Sequence, residues 1–111
     1  MIASAGELIA LASLRRGTVS VRGSVIHVRE LTVADRAEFA RLGREEPARA
    51  PVFLVARCTT TPDGAPLFAS DAEAEGIAAG SPEVVDAIAG EVLRLSNLGG
   101  ESRKGGGAKK P

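Results

Sequence analysis

The spacing of apolar and polar residues changes several times along the chain, and each change marks an element. Over residues 4–16, Leu8, Leu11 and Ala12 recur at helical spacing. Ser4 and Glu7 stand three apart, as in a capping box. Arg15 and Arg16 fall where a helix dipole favours cations, and Gly17 is a natural stop. These signals predict a helix over 4–16. The pattern then alternates through TVSVRGSVIHVRE, which predicts a β-hairpin over about 18–30. A two-residue turn at Gly23-Ser24 sets Val21 opposite Ile26 and Val19 opposite Val28, with Ser20 and His27 together on the polar face.

Thr32 and Asp35 open a further predicted helix over 32–44, whose candidates for burial are Val33, Ala37, Phe39, Ala40 and Leu42. Glu45–Pro51 is a break. The run VFLVARC, residues 52–58, is too short for periodicity to separate helix from strand. Pro62-Asp63-Gly64 marks a turn, after which Leu67 and Phe68 re-enter the core. Ser70 and Glu73 predict a short helix over 71–79. Ser81 and Pro82 open the last one, over 82–97, with Val85, Ile88, Val92 and Leu95 as its apolar stripe. The expected fold is a small α+β domain spanning 1–98, mostly helical, with one N-terminal antiparallel hairpin.

The last residues have a different character. The segment 99–111 holds five of the 13 glycines, and Arg103 with Lys104, Lys109 and Lys110 outweighs Glu101. It has no apolar residue larger than Ala, so it is expected to be a disordered Gly- and Lys-rich tail on a slightly acidic body. Every basic residue before Lys104 is Arg.

Composition narrows the function classes. The chain has 111 residues, a length typical of one domain, and its 14 basic residues balance 14 acidic ones. No overall field therefore draws it to nucleic acid or membrane. Aromatics are 3%, with no Trp or Tyr, which argues against base-stacking platforms. One Cys and one His cannot form a disulfide or a four-ligand zinc site. The first residues lack the charge order of a signal peptide, and no apolar run approaches a membrane span, so a soluble cytosolic protein is expected.

Candidate chemistry is sparse. His27 is the only proton-transfer candidate near neutral pH, and its pairing with Ser20 lacks a placed acid and an oxyanion turn. Cys58 follows an apolar run and reads as a buried small hydrophobe. Asp63, Asp71, Glu73 and Glu75 cluster around a turn, but Ala65 and Pro66 break the spacing a calcium loop needs. GGGAKK has neither the preceding strand nor the Ser or Thr of a phosphate loop. The residues point to a binding or assembly role with no catalytic site, metal or cofactor.

The order of features over residues 18–98 resembles small tail assembly chaperones of long-tailed bacteriophages. The matching parts are the hairpin with TVADRAEF after it, an apolar segment ending at Cys58, the Pro62-Asp63-Gly64 turn, and the Leu67-Phe68 pair. The acidic helix start at Asp71–Glu75 and a final Leu95-Ser96-Asn97-Leu98 complete the order. The resemblance implies a non-catalytic, cytoplasmic protein of the infected cell. It would bind the tape measure protein, keep it soluble while tail tube subunits polymerise, and leave the finished tail. It also implies a longer frameshifted form that recruits the tube protein. Ala108-Lys109-Lys110 fits a slippery codon run, GCA AAA AAG, in a gene that otherwise avoids lysine. The client would lie in an apolar groove, with Leu14, Phe39, Leu42 and Leu98 as candidate contacts. Self-association through the first helix is left open. The competing classes are a tail-completion or neck protein of the virion, and a small nucleic-acid-binding regulator that uses the basic tail.

Overall fold

The structure, a computed structural model, describes residues 4–98. The predicted tail, with Ala108, Lys109 and Lys110, lies outside the described residues. The chain forms α1 (Ala5–Leu11), β1 (Arg16–Val21), β2 (Ser24–Arg29), α2 (Val33–Glu45), a 3-10 turn (Pro47–Arg49) and α3 (Ala50–Cys58). It continues as β3 (Thr59–Thr60), α4 (Asp71–Ala74), a second 3-10 segment (Glu75–Ala79) and α5 (Pro82–Leu95). The architecture is α+β and mostly helical. The hairpin gains a short third antiparallel strand, in the order β1-β2-β3.

The capping box on Ser4 forms, yet α1 stops at Leu11 and not at Arg16. The reason is a competing partner. Arg15 donates its N–H to Glu30 Oε1 at 2.8 Å, and its carbonyl accepts the Glu30 N–H at 2.9 Å. That draws residues 15 and 16 into extended pairing. Gly17 is therefore a strand residue and not a helix stop. A Cβ there would stand 2.9 Å from Glu91 Oε2 and 3.3 Å from Leu95 Cδ1, so the missing side chain lets α5 lie close on β1.

The hairpin turn is Arg22-Gly23 and not Gly23-Ser24. Both residues have positive φ, 53° and 82°, as a type I′ turn requires. The turn's twist matches that of the strands, and this outweighs the cost of placing Arg in the left-handed region. Val19 now faces Ile26, Val21 faces Ser24 and Gly17 faces Val28. The pairing has slipped by two, which leaves every side chain on its original face. Val19, Val21, Ile26 and Val28 still share the inner face of the sheet.

The ambiguous run 52–58 is helical. Pro51 sits in the first turn of α3, where its missing N–H costs nothing, and the helix buries Phe53, Leu54, Val55 and Cys58. These pack against Val85, Ile88, Val92 and Leu95 of α5 and against Val28, Leu31 and Leu42. The α5 stripe is buried as its spacing indicates. Helix α2 has the Thr32–Asp35 capping box but buries only Asp35 and Leu42, leaving Phe39 half-buried and Val33, Ala37 and Ala40 exposed. Phe68 packs against the core, whereas Leu67 stays exposed. Helix α4 is a single turn. Ser70 Oγ accepts the Glu73 N–H at 3.2 Å, and the Glu73 carboxylate accepts the Ala69 N–H at 2.8 Å.

Candidate functional site

Three surface features stand out from this frame. The first lies at the C-terminal end of α5. Ser96 Oγ accepts the Leu31 N–H at 3.0 Å, and the Arg36 guanidinium donates to the Ser96 carbonyl at 2.6 Å. The Arg15–Glu30 pairing described above brings the residues just after α1 to the same end. Leu14 precedes Arg15 and is 38% exposed. Leu98 follows Ser96, and Phe39 lies one helical turn after Arg36; both are half-buried against the core. Three of the four candidate contacts thus border one end of the molecule. Leu42, a turn further along α2, is buried in the core.

The second feature is a charged cleft between α2, α3 and the α4 segment. Its walls include Glu38, Arg41, Glu46, Arg49, Arg57, Asp71 and Glu75, with Phe53 at the base. The charges are paired with one another. Arg41 bonds to Glu38 at 2.6 Å and Glu45 at 2.9 Å, Arg57 to Asp71 at 3.2 Å, and Arg49 to Glu75 at 3.5 Å. The hydrogen bonds from Arg41 hold the Glu38 carboxyl below its ordinary range, and the bond to Asp71 raises Arg57. The Arg57 guanidinium also lies 5.1 Å over the Phe53 ring. These contacts clamp α4 to α3.

The third feature is an open groove at the other end of α5, lined by Ala48, Pro51, Val52, Ile77, Ala78, Gly80, Pro82, Val85 and Asp86. None of the four candidate contacts lines it. The sequence signal for it is weak. Val85 reads only as part of a core stripe, and Ile77 sits alone in a run of small residues.

The candidates for chemistry are dispersed. The slipped register places Ser20 opposite Val25, and His27 opposite Thr18 on one side and Thr60 on the other, so the Ser20–His27 pair does not form. Burial pushes the Cys58 thiol up to about 11, which keeps it protonated and unreactive. Asp71, Glu73 and Glu75 are engaged in ion pairs and the cap. Among the described residues no cluster of His, Cys, Asp or Glu could hold a metal ion, and no helix is long and apolar enough to cross a membrane.

No family model matches the chain, and no curated protein matches it in sequence. The fold does have a counterpart among solved structures. It is similar to the tail assembly chaperone of bacteriophage HK97, with a TM-score of 0.62 and 22% identity. The match covers 85% of this chain and 97% of that one. The two share a fold, and that neighbour is a chaperone.

Proposed function

We propose that the protein is a phage tail assembly chaperone. It binds amphipathic helical segments of a tape measure protein and keeps that long chain soluble until tail tube subunits assemble around it. The observation that carries this reading is the shared fold with the HK97 chaperone over nearly the whole of that protein. The order of motifs over residues 18–98, read without any structure, supports it separately. The client surface is the end formed by Leu14, Phe39 and Leu98, with Leu42 in the core behind it. An apolar helical client would cover these half-exposed side chains. A longer form made by slippage at Ala108-Lys109-Lys110 would carry the contact to the tube protein. The protein would act in the cytoplasm of the infected cell.

Co-expression with a tape measure protein tests the reading. The expected result is a soluble complex that Leu98→Asp weakens while the variant itself stays folded. Expression with native downstream DNA should also yield a minor longer product. Recovery of the chain in purified virions, with no effect on tape measure solubility, would instead identify a tail-completion or neck protein.

A further inference from the structure

The sheet has two edges, and the chain closes one of them itself. Strand β3 is covered by the segment that follows it. Thr60 bridges to Pro66, Leu67 donates its N–H to the Thr59 carbonyl at 3.0 Å, and Thr61 donates to the Ala65 carbonyl at 2.9 Å. Strand β1 forms the other edge. Helix α5 passes beneath it at Gly17, but α1, which precedes it, buries none of its residues and covers nothing there.

Alternation along β1 fixes which backbone groups face outward. The two-residue turn makes Val21 and Ser24 a hydrogen-bonded pair, and at the far end the Glu30 N–H reaches the Arg15 carbonyl. Residues 15, 17, 19 and 21 therefore bond to β2. Arg16, Thr18 and Ser20 direct their N–H and C=O groups away from it, and all three residues are exposed. Among the described residues no backbone partner reaches those groups. Proteins commonly blunt such an edge with Pro, Lys or a bulge. Here the register runs from Arg16 to Val21 without a bulge, and β1 contains neither Pro nor Lys. The edge is a template for one more strand.

Charge selects the occupant. Arg15 and Arg16, at the start of β1, are exposed, and among the described residues no carboxylate pairs with either guanidinium. The Arg16 guanidinium rests against Gly64. Arg22, at the other end of the strand, is already paired with Glu83, and Glu91 below Gly17 is held by Arg94 at 2.6 Å. Two unpaired positive charges thus mark one end of the edge. Between the outward groups, Val19 is half-buried and leaves apolar surface beside the strand, and Gly17 adds no side chain to obstruct a neighbour. A second β1 has no carboxylate to offer, which argues against another copy of this chain.

We propose that the β1 edge binds an extended segment of a partner protein, added antiparallel as a further strand. The segment has apolar side chains opposite Gly17 and Val19 and carboxylates at its C-terminal end, beside Arg16 and Arg15. Arg16, Thr18 and Ser20 supply the backbone bonds, and the charges and apolar positions set direction and register. The proposal needs no helical client and stands independently of the function above.

Nuclear magnetic resonance of the full chain with the peptide Thr-Val-Thr-Val-Glu-Glu tests it, titrated to about 5 mM because so short a strand binds weakly. Without peptide, the amides of Arg16, Thr18 and Ser20 should exchange fast while those of Gly17, Val19 and Val21 are protected. With peptide, the first three should shift and gain protection. Thr18→Pro removes one outward N–H without touching the β2 ladder, so it should abolish the response with an unchanged circular dichroism melt. Arg15→Glu combined with Arg16→Glu leaves the backbone intact. It should weaken binding roughly fivefold and transfer the preference to Thr-Val-Thr-Val-Lys-Lys. Edge amides protected in the free, dilute chain, signals unmoved at the highest peptide concentration, or an equal response to a scrambled peptide would each overturn the proposal. So would edge protection that grows with protein concentration alone, which would make the occupant a second copy.

Discussion

The Arg29 guanidinium, projecting from β2, donates to Asp35 Oδ2 at 3.1 Å while also donating to the carbonyls of Glu30 at 2.8 Å and Arg57 at 2.7 Å. Asp35 in turn accepts from the Thr32 N–H and caps α2. The Arg57 carbonyl belongs to the last turn of α3. Arg29 and Asp35 therefore tie the sheet to the start of one helix and the end of another, and Arg57 adds a second ion pair to Asp35 at 3.5 Å. The Arg29 and Asp35 side chains are largely withdrawn from water, with 19% and 8% of their surface exposed.

That arrangement makes Asp35 costly to lose. Replacing it leaves the Arg29 charge partly buried with only carbonyl partners and removes the acceptor of the Thr32 N–H, while the Thr32 hydroxyl still caps α2. Breaking a buried pair from one side costs about 3–5 kcal/mol, and residual solvent at Arg29 brings the expectation to about 2–3 kcal/mol. Urea unfolding of Asp35→Ala should show a midpoint lowered by that amount. A change below about 0.5 kcal/mol, of the kind typical of surface substitutions, would mean that the pair does not bind these elements together.

Arg22 offers the opposite case. It holds a left-handed conformation at φ 53°, which costs roughly 1–2 kcal/mol for an ordinary residue and less for Asn. Its ion pair with Glu83 at 2.8 Å joins two exposed side chains, and such pairs contribute about 0–1 kcal/mol. Turn strain outweighs the pair. Arg22→Asn should therefore stabilise the protein by about 0.5 kcal/mol in thermal or urea unfolding. A destabilised variant would show that the Glu83 contact matters more than its exposure implies.

Cys58 sets an alkaline limit. Burial raises its thiol to about 11 from an ordinary value of 9.0. The native state keeps the proton where the unfolded chain releases it. The contribution is therefore intact below the unfolded value and is lost as pH rises between 9.0 and about 11. Each unit of that window lowers stability by about 1.4 kcal/mol. Urea midpoints at about pH 8 and pH 10.5 should fall more for the wild type than for Cys58→Ala. Equal slopes would show that the thiol titrates normally in the folded protein.

Much of this fold was legible from short-range signals. The caps at Ser4, Thr32, Ser70 and Ser81 all form, because each needs only a hydroxyl and a backbone N–H a few residues away. The Val85–Leu95 stripe is buried for a similarly local reason. What could not be read depended on distant partners. The end of α1 is set by Glu30, the place of Gly17 by Leu95, and the hairpin register by a turn that tolerates Arg at positive φ. The candidate contacts divide the same way. Spacing marks Leu42 and Phe39 as apolar helix positions, but only the packing of α3 and α5 decides which one is covered. The groove was invisible because it joins α3, the Glu75–Ala79 segment and α5, which are separated in sequence by loops of undetermined path.

The contrast between Leu54 and Leu11 tests whether α1 contributes to the fold at all. Leu54 is 1% exposed at the centre of α3, among side chains of α5 and the sheet. Truncation there removes buried methyl groups and leaves a space its rigid neighbours cannot close, so Leu54→Ala should cost about 3 kcal/mol. Leu11 is of the same chemical type but has little native burial to lose. At dilute protein, Leu11→Ala should change the unfolding free energy by less than about 0.5 kcal/mol. Amide exchange gives an independent measure. The α1 amides should exchange close to the unprotected rate at low concentration, while those of α3 and α5 are protected to nearly the global stability. If Leu11→Ala instead cost as much as a core truncation in dilute solution, α1 would have to pack on its own domain, and its exposed face would not be available to any partner.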